Sequence, residues 1–314
     1  MKILVIGELN VDLILQNYQA FPELGKEVLV EDSTLTLGSS SAICAVGLAR
    51  LGEQVSFLGK MGCDVWGDFC CRRLREEGID ITRVIADPSV KTGITTSITG
   101  ATDRALVTHL GAISELRASD IQAEALRGFD HLHMACYFMQ TGLRPGFRSI
   151  FQQAKAAGMT TSFDPGFDPD EKWGPELPET LGSVDVFFPN EVELRGISGK
   201  NDLAEGLASL QNGHTLVVAK LGRDGAMALL QGRLVRVPAP LVQPVDTTGA
   251  GDSFNAGFLH CWLAGQSVEA AMRYGAACGA ISTQALGGTG CQPGEAEVED
   301  FLRSREMAAE TSRL

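Results

Sequence analysis

Short apolar, β-branched runs alternate with longer segments of helical period along most of this chain. That rhythm constrains the fold more than any other feature, because strand–helix–strand units close by laying parallel strands side by side under helices. Residues 2–6, 55–59, 131–135, 160–163, 184–188 and 215–219 read as buried strands. Residues 41–51, 66–77, 145–157 and 203–210 read as helices, and several stop at a glycine (Gly52, Gly78, Gly158) able to take a left-handed cap. The pattern predicts an α/β domain built on a parallel sheet.

Two stretches break the rhythm. Residues of about 13–37 and 91–112 carry alternating, Thr-rich patterns with turn residues, as in 92–99 and 105–110. They read as antiparallel strands of a small sheet, assembled from two insertions and lying over one face of the main sheet. Nothing resembles a repeat or a low-complexity linker, so residues 1–314 are expected to form a single domain. The last ten residues, 305–314, are polar and expected to fray.

Composition narrows the function. A formal net charge of −13 argues against a nucleic-acid or acidic-membrane binder, since both need a basic footprint. It leaves room for a phosphate ligand, which a few amides, a metal and one or two cations can hold inside an acidic protein. The eight cysteines form no Cys-x-x-Cys pair and no zinc-spaced cluster, which reads as reduced thiols packed as small hydrophobes. The run after Lys2 meets Glu8 and Asp12 too soon for a signal-peptide core, and no stretch approaches a membrane span. A cytoplasmic protein is expected.

The most informative stretch is Pro244-Val-Asp-Thr-Thr-Gly-Ala-Gly-Asp-Ser-Phe-Asn-Ala-Gly257. Phe254, Phe258 and Trp262 recur at four-residue spacing, so a helix starts at Gly249-Ala250-Gly251 and ends near Gly265. Glycines just before a helix let the backbone turn tightly and aim free amides at one spot, at the positive end of the helix dipole. Asp252 beside such an anion site makes sense as a general base that accepts a hydroxyl proton while the amides hold a transferring phosphoryl group. The same residues also fit a plain turn in which Thr248 caps the helix and Asp252 complements its dipole. Local chemistry leaves both readings open.

The segment Asp246-Thr-Thr-Gly-Ala-Gly-Asp252-Ser-Phe closely resembles the C-terminal signature of the ribokinase-like (PfkB) kinases. The resemblance implies that Asp252 is the catalytic base and that the amides of Ala250, Gly251 and Asp252, behind Gly249, form the anion hole. It implies that Asp246 and Thr248 help to bind a monovalent cation, with K⁺ the candidate. Asn190-Glu-Val-Glu193 could alone be a capped helix start; it resembles the family's Asn-x-x-Glu motif, which organises Mg²⁺ and its waters near the ATP phosphates, with Glu193 acting through water. The segment with Lys220, Gly222 and Gly225 resembles the family's nucleotide-contacting turn, although a strand-end lysine could equally be exposed. Residues 275–286 resemble the small-residue helix that walls the adenine pocket.

Gly7-Glu-Leu-Asn-Val-Asp12 resembles the family's opening motif, in which Asp12 binds substrate hydroxyls and Asn10 supports it; a carboxylate suits a polyol because it accepts two hydrogen bonds at once. Asp164-Pro-Gly-Phe-Asp168 matches a further landmark of uncertain role. The sugar-pocket signature, ordinarily Gly-Gly-x-x-x-Asn-x-Ala, departs: Gly38 is kept, but Ser39 replaces the second glycine and Ile43 the asparagine. Losing that amide should weaken recognition of a hydroxyl, so the departure touches specificity rather than catalysis. His131 and His133 alternate on one predicted strand face and are expected to be packed or hydrogen-bonded. No P-loop and no dinucleotide-binding glycine fingerprint occurs.

The resemblance runs over about residues 2–303. It implies a three-layer fold, with a mostly parallel central sheet flanked by helices and a small β-sheet lid, and an ATP- and Mg²⁺-dependent kinase acting on a hydroxyl of a sugar-like small molecule. Within the class, a nucleoside or a phosphosugar could be the acceptor; Arg104 and His109 in the lid leave the phosphosugar open. The non-enzyme alternative is an idle sugar or nucleotide sensor. Family lids often pair, which raises a homodimer through the lid.

Overall fold

The computed structural model describes residues 1–18, 20–100 and 104–311. Its main sheet contains β1 (Lys2–Ile6), β4 (Gln54–Leu58), β9 (His131–Met134), β10 (Thr160–Phe163), β11 (Val186–Phe187), β12 (Leu216–Lys220), β13 (Ala226–Leu230) and β14 (Arg233–Val237). Their order is β14-β13-β12-β11-β10-β9-β1-β4. From β4 to β12 every pair is parallel, and β13 and β14 add an antiparallel edge.

Alternation along the strands gives the sheet two apolar faces. Ile3 and Val5 pack with α1 (Ser40–Arg50), α2 (Val65–Glu76), α7 (Ala250–Leu263), α8 (Val268–Ser282) and α9 (Glu295–Thr311). Leu4 and Ile6 pack with α3 (Phe147–Ala156), α4 (Leu177–Leu181), α5 (Glu191–Ser198) and α6 (Leu203–Ser209). This is the expected three-layer α/β arrangement. Strand ends fall within a residue or two of expectation, except that β11 shrinks to two residues. Helix α9 runs to Thr311, where a frayed tail from Arg305 was expected.

A separate sheet carries β2 (Asn10–Gln16), β3 (Asp32–Leu37), β7 (Gly93–Thr99) and β8 (Arg104–His109) in the order β3-β2-β7-β8. The expectation of wholly antiparallel strands needs correction, because β2 and β7 pair in parallel. They belong to different insertions joined through the main sheet, so no hairpin turn forces them to oppose. The lid also begins earlier than residue 13, at Asn10, which moves Asn10 and Asp12 onto a lid strand. A third, two-stranded sheet joins β5 (Lys60–Gly62) to β6 (Ile85–Asp87).

Strand order reverses at β1, which has β4 on one side and β9 on the other. Open α/β sheets bind ligands in the crevice that such a reversal opens beyond the carboxyl ends of the strands. Glu8, Asp164, Asn190 and Lys220 all stand at those ends.

Candidate active site

Helix α7 starts at this crevice. Its N-cap is Gly249, at φ 72°, with no side-chain cap bond. Thr248 therefore does not cap the helix; its amide and hydroxyl instead donate to Asp246 Oδ1 at 2.9 and 2.7 Å. A side chain at Gly249 would collide with Gly288 Cα, 2.7 Å from where its Cβ would lie, so glycine is required on two counts. Of the three amides expected in the anion hole, Ala250 N–H donates to Thr247 O at 3.3 Å. Those of Gly251 and Asp252 have no acceptor among the described residues, leaving two donors unspent in the first turn of α7.

Asp252 is half-buried and surrounded by charge. Burial, and then the negative charge of Asp164, push its carboxyl well above the ordinary range against the pull of Lys220. Lys220, at the end of β12, is neither exposed nor free. Its ammonium is paired with Asp164 Oδ2, with side chains only 12% and 5% exposed. Asn255 Nδ2 donates to the same oxygen at 2.6 Å, and Gly166 N–H to the other at 3.0 Å. Burial opposes the charge on Asp164, but Lys220 and these donors win and hold it below the usual carboxylate range. The landmark Asp164 thus acts as the counter-ion of Lys220. Asp168 organises a loop, accepting from the amides of Asp170, Lys172 and Trp173.

Asn190 and Glu193 form a reciprocal cap at the start of α5. Glu193 N–H donates to Asn190 Oδ1 at 2.9 Å, and Asn190 N–H to Glu193 Oε2 at 2.7 Å. Burial and the nearby Asp164 push the Glu193 carboxyl up to about 7. Its Oε1 makes no hydrogen bond among the described residues, which suits an acceptor of water on a hydrated cation. Asp246 ties its turn to the loop after α8, since Gly287 N–H donates to Asp246 Oδ2 at 2.9 Å.

The expected acceptor residues converge at the start of α1. Asn10 Nδ2 donates to Asp12 Oδ1 at 3.0 Å. A Cβ on Gly38 would lie 2.2 Å from that oxygen and 2.4 Å from Asn10 Nδ2, so only glycine lets α1 approach the pair. Ser39 carries a strained backbone, φ 74° and ψ 118°, at the position where the family pattern has glycine. Its hydroxyl donates to Glu8 O at 2.6 Å and accepts from Ala42 N–H at 2.9 Å. One turn on, Ile43 is 3% exposed and wedged against the backbones of Gly249 and Gly288. It packs against the turn that starts α7. Four residues of helix, about 6 Å of rise, thus link the contact with Asp12 to the turn at Gly249.

Glu8 was missed as a site residue although it lies in the quoted opening motif. Its carboxylate is buried, receives Ser41 Oγ–H at 2.6 Å and Ser41 N–H at 3.1 Å, and is pushed up by burial. No spacing rule could reveal that Ser41, 33 residues away, would satisfy it. His131 and His133 are buried and hydrogen-bonded to Ser162 Oγ at 2.8 Å each, as packed histidines. The side chain of Arg104 lies outside the described residues.

Beside the anion turn lies a cavity of about 500 Å³, lined by Lys220, Gly222, Gly225, Ala250, Gly251 and the face of α8 that carries Ala276, Gly279 and Ala280. A mostly apolar chamber thus has Lys220 and the start of α7 at one end. That combination can hold a flat apolar ring joined to a polyanion.

Comparison with known proteins agrees with this arrangement. The chain belongs to the pfkB family carbohydrate kinases, whose model matches residues 1–294. It is 30% identical over 306 residues to an ATP-dependent ribose-1-phosphate kinase of Halopiger xanaduensis, covering 97% of this chain and 99% of that one. Among solved structures it is similar to a ribokinase of Thermotoga maritima (TM-score 0.83, 26% identity, 96% of this chain and 99% of that one). It is also similar to a fructokinase double mutant of Vibrio cholerae O395 bound to fructose, ADP and potassium ion (TM-score 0.79, 27% identity, 96% and 98%).

Proposed function

We propose that this chain transfers the γ-phosphoryl group of ATP to a hydroxyl of a sugar or sugar-like small molecule, with Asp252 as general base. One observation carries the reading: Asp252 stands in the first turn of α7, beside two unspent amides and next to Ala250 and Gly251, which line the apolar cavity. Asp252 accepts the acceptor's proton as its oxygen attacks in line, and the amides of Gly251 and Asp252 stabilise the charge spreading over the transferring group. Burial and neighbouring carboxylates raise the proton affinity of Asp252 above that of an ordinary carboxylate. Lys220 offsets part of the negative charge that Asp164, Glu193 and Asp252 present to a polyphosphate.

Mg²⁺, when bound, neutralises phosphate charge; Glu193 would hold it through water, with Asn190 fixing the carboxylate. Asp246 and Thr248 would hold the monovalent cation, and the potassium-bound fructokinase supports K⁺ in that role. Asp12 binds acceptor hydroxyls with Asn10 orienting it. The lid closes over the acceptor and excludes water, the competing nucleophile.

A phosphosugar acceptor is the second reading, favoured by the likeness to a ribose-1-phosphate kinase. Pairing of lids into a homodimer is favoured by Leu106 and Val107, exposed at 58% and 61% on the edge strand β8. Unpaired thiols at all eight cysteines support a cytoplasmic setting.

The test is ADP release with Mg-ATP and K⁺ against sugars, sugar acids, phosphosugars and nucleosides, for the native chain and Asp252→Asn. The variant should lose about 10²–10⁴-fold in kcat while still binding nucleotide. Near-normal kcat in the variant would remove the general-base assignment.

A further inference from the structure

Glu8 is a buried ionisable group that the reaction outlined above does not use. It follows β1 and is 2% exposed. The backbone around it is shaped to bring α1 close. A Cβ on Gly7 would lie 1.9 Å from Ser41 Oγ, so only glycine before Glu8 lets Ser41 reach the carboxyl. Ser41 Oγ–H and N–H then donate to Glu8 Oε2 and Oε1 at 2.6 and 3.1 Å.

Ser39 shows where a further proton belongs. Its hydroxyl has one hydrogen, which Glu8 O accepts at 2.6 Å. Ala42 N–H takes one lone pair of the same Oγ at 2.9 Å. Glu8 Oε1 lies 3.1 Å from that Oγ as well. With the Ser39 hydrogen spent, this contact is a hydrogen bond only if Oε1 carries a proton and donates it; an ionised Glu8 would set two bare oxygens against each other.

The surrounding charges agree. Among the described residues no cation pairs with Glu8. Lys60 on β5 directs its ammonium to Glu115 O and Asp120, and Lys220 is paired with Asp164. The other carboxyls of the crevice, Asp12, Asp164, Glu193 and Asp252, add negative charge, and that of Glu8 raises Asp252 in turn. Cys44 on α1 and Cys136 after β9 also lie within reach of its charge, and burial pushes both thiols up. Burial outweighs the Ser41 and Ser39 hydrogen bonds and pushes the Glu8 carboxyl up.

We propose that Glu8 is a positioning residue that works as a neutral carboxylic acid: its proton bonds Ser39 and fixes the start of α1, and so Gly38, against Asp12 and Asn10. Gly38 packs so closely on those two side chains that a shift of Ser39 is passed to them. This role rests on the kinase reading for its purpose, acceptor binding, yet it is tested without nucleotide or acceptor, so either can fail alone.

Carbon-13 NMR of the full chain, labelled at its carboxyl carbons, reads Glu8 through the signal lost in Glu8→Gln. At pH 7, where an ordinary glutamate is ionised, that signal should still stand with the protonated carboxyls. An ionised signal at pH 7 would overturn the proposal. The bound proton contributes stability below pH of about 4.3 that is lost as pH rises through the folded value. In urea, the unfolding constant of the native chain relative to Glu8→Gln should therefore rise between pH 5 and 8, by up to about tenfold per unit. A ratio that stays level or falls would show an ionised Glu8. The Gly38 amide and the Asp12 carboxyl should carry a titration step that Glu8→Gln removes; if they do not, the positioning role is lost. Should that variant not fold, Ser41→Ala, which removes the donor to Oε2, assigns the Glu8 signal by moving it.

Discussion

Replacing Lys220 by methionine keeps most of the side-chain volume and removes a cation that stands among Asp164, Glu193 and Asp252. Removing one partner of a buried ion pair costs about 3–5 kcal/mol, because the remaining charge stays out of water. Asp164 would keep the Asn255 amide at 2.6 Å and the Gly166 N–H at 3.0 Å, which places the expected cost near the lower end, about 3 kcal/mol at pH 8. The cost should depend on pH. In the native chain Asp164 is held below its ordinary value, so it contributes stability above pH of about 3.9 that is lost as pH falls through its folded value. Without Lys220, burial and the neighbouring carboxylates push the same group upward, so the folded state then prefers the protonated form. That penalty is present at high pH and relieved on acidification. Lys220 itself, held above its ordinary value, contributes stability that fades only at strongly alkaline pH, outside the assay. Urea unfolding at pH 8 and pH 5 should therefore show a deficit of about 3 kcal/mol shrinking to about 1 kcal/mol. An equal deficit at both pH values, or one under about 1 kcal/mol at pH 8, would refute the view that a desolvated ion pair organises the site.

Ser39 invites a paired comparison. Ser39→Ala loses a helix cap and a buried hydroxyl bond, about 2 kcal/mol together, and keeps the strained φ; Ser39→Gly loses the same bonds but relieves about 1 kcal/mol of strain. In urea unfolding the glycine variant should be the more stable of the two, and equal stabilities would show that the backbone stores no strain. Gly38→Ala should raise KM for the acceptor at least about 10-fold with the nucleotide constant unchanged, since the new methyl displaces Asp12 and Asn10 by roughly an ångström. An unchanged acceptor KM would take Asp12 out of the binding site.

The sequence by itself determined the layering. Apolar runs and glycine-stopped helices are local patterns, and their alternation admits little besides a parallel sheet between helices, which is what forms. It also located the glycine turn at the start of α7, because Gly249 and Gly251 ahead of a helix have a local backbone meaning. Tertiary structure decided what the polar groups do. Asp164, Lys220 and Asn255 are far apart along the chain, and only the side-by-side ends of β10 and β12 beneath α7 make them one ion-paired cluster. Glu8 becomes a buried acceptor only when α1 lays Ser39 and Ser41 over it. Ile43 meets Gly249 only because the loop through Gly288 closes on both. The parallel pairing of β2 with β7 was equally hidden, since alternation marks a strand but not its partner. Periodicity and turn chemistry act over a few residues, whereas charge pairing and desolvation depend on distance in space, which the fold alone sets.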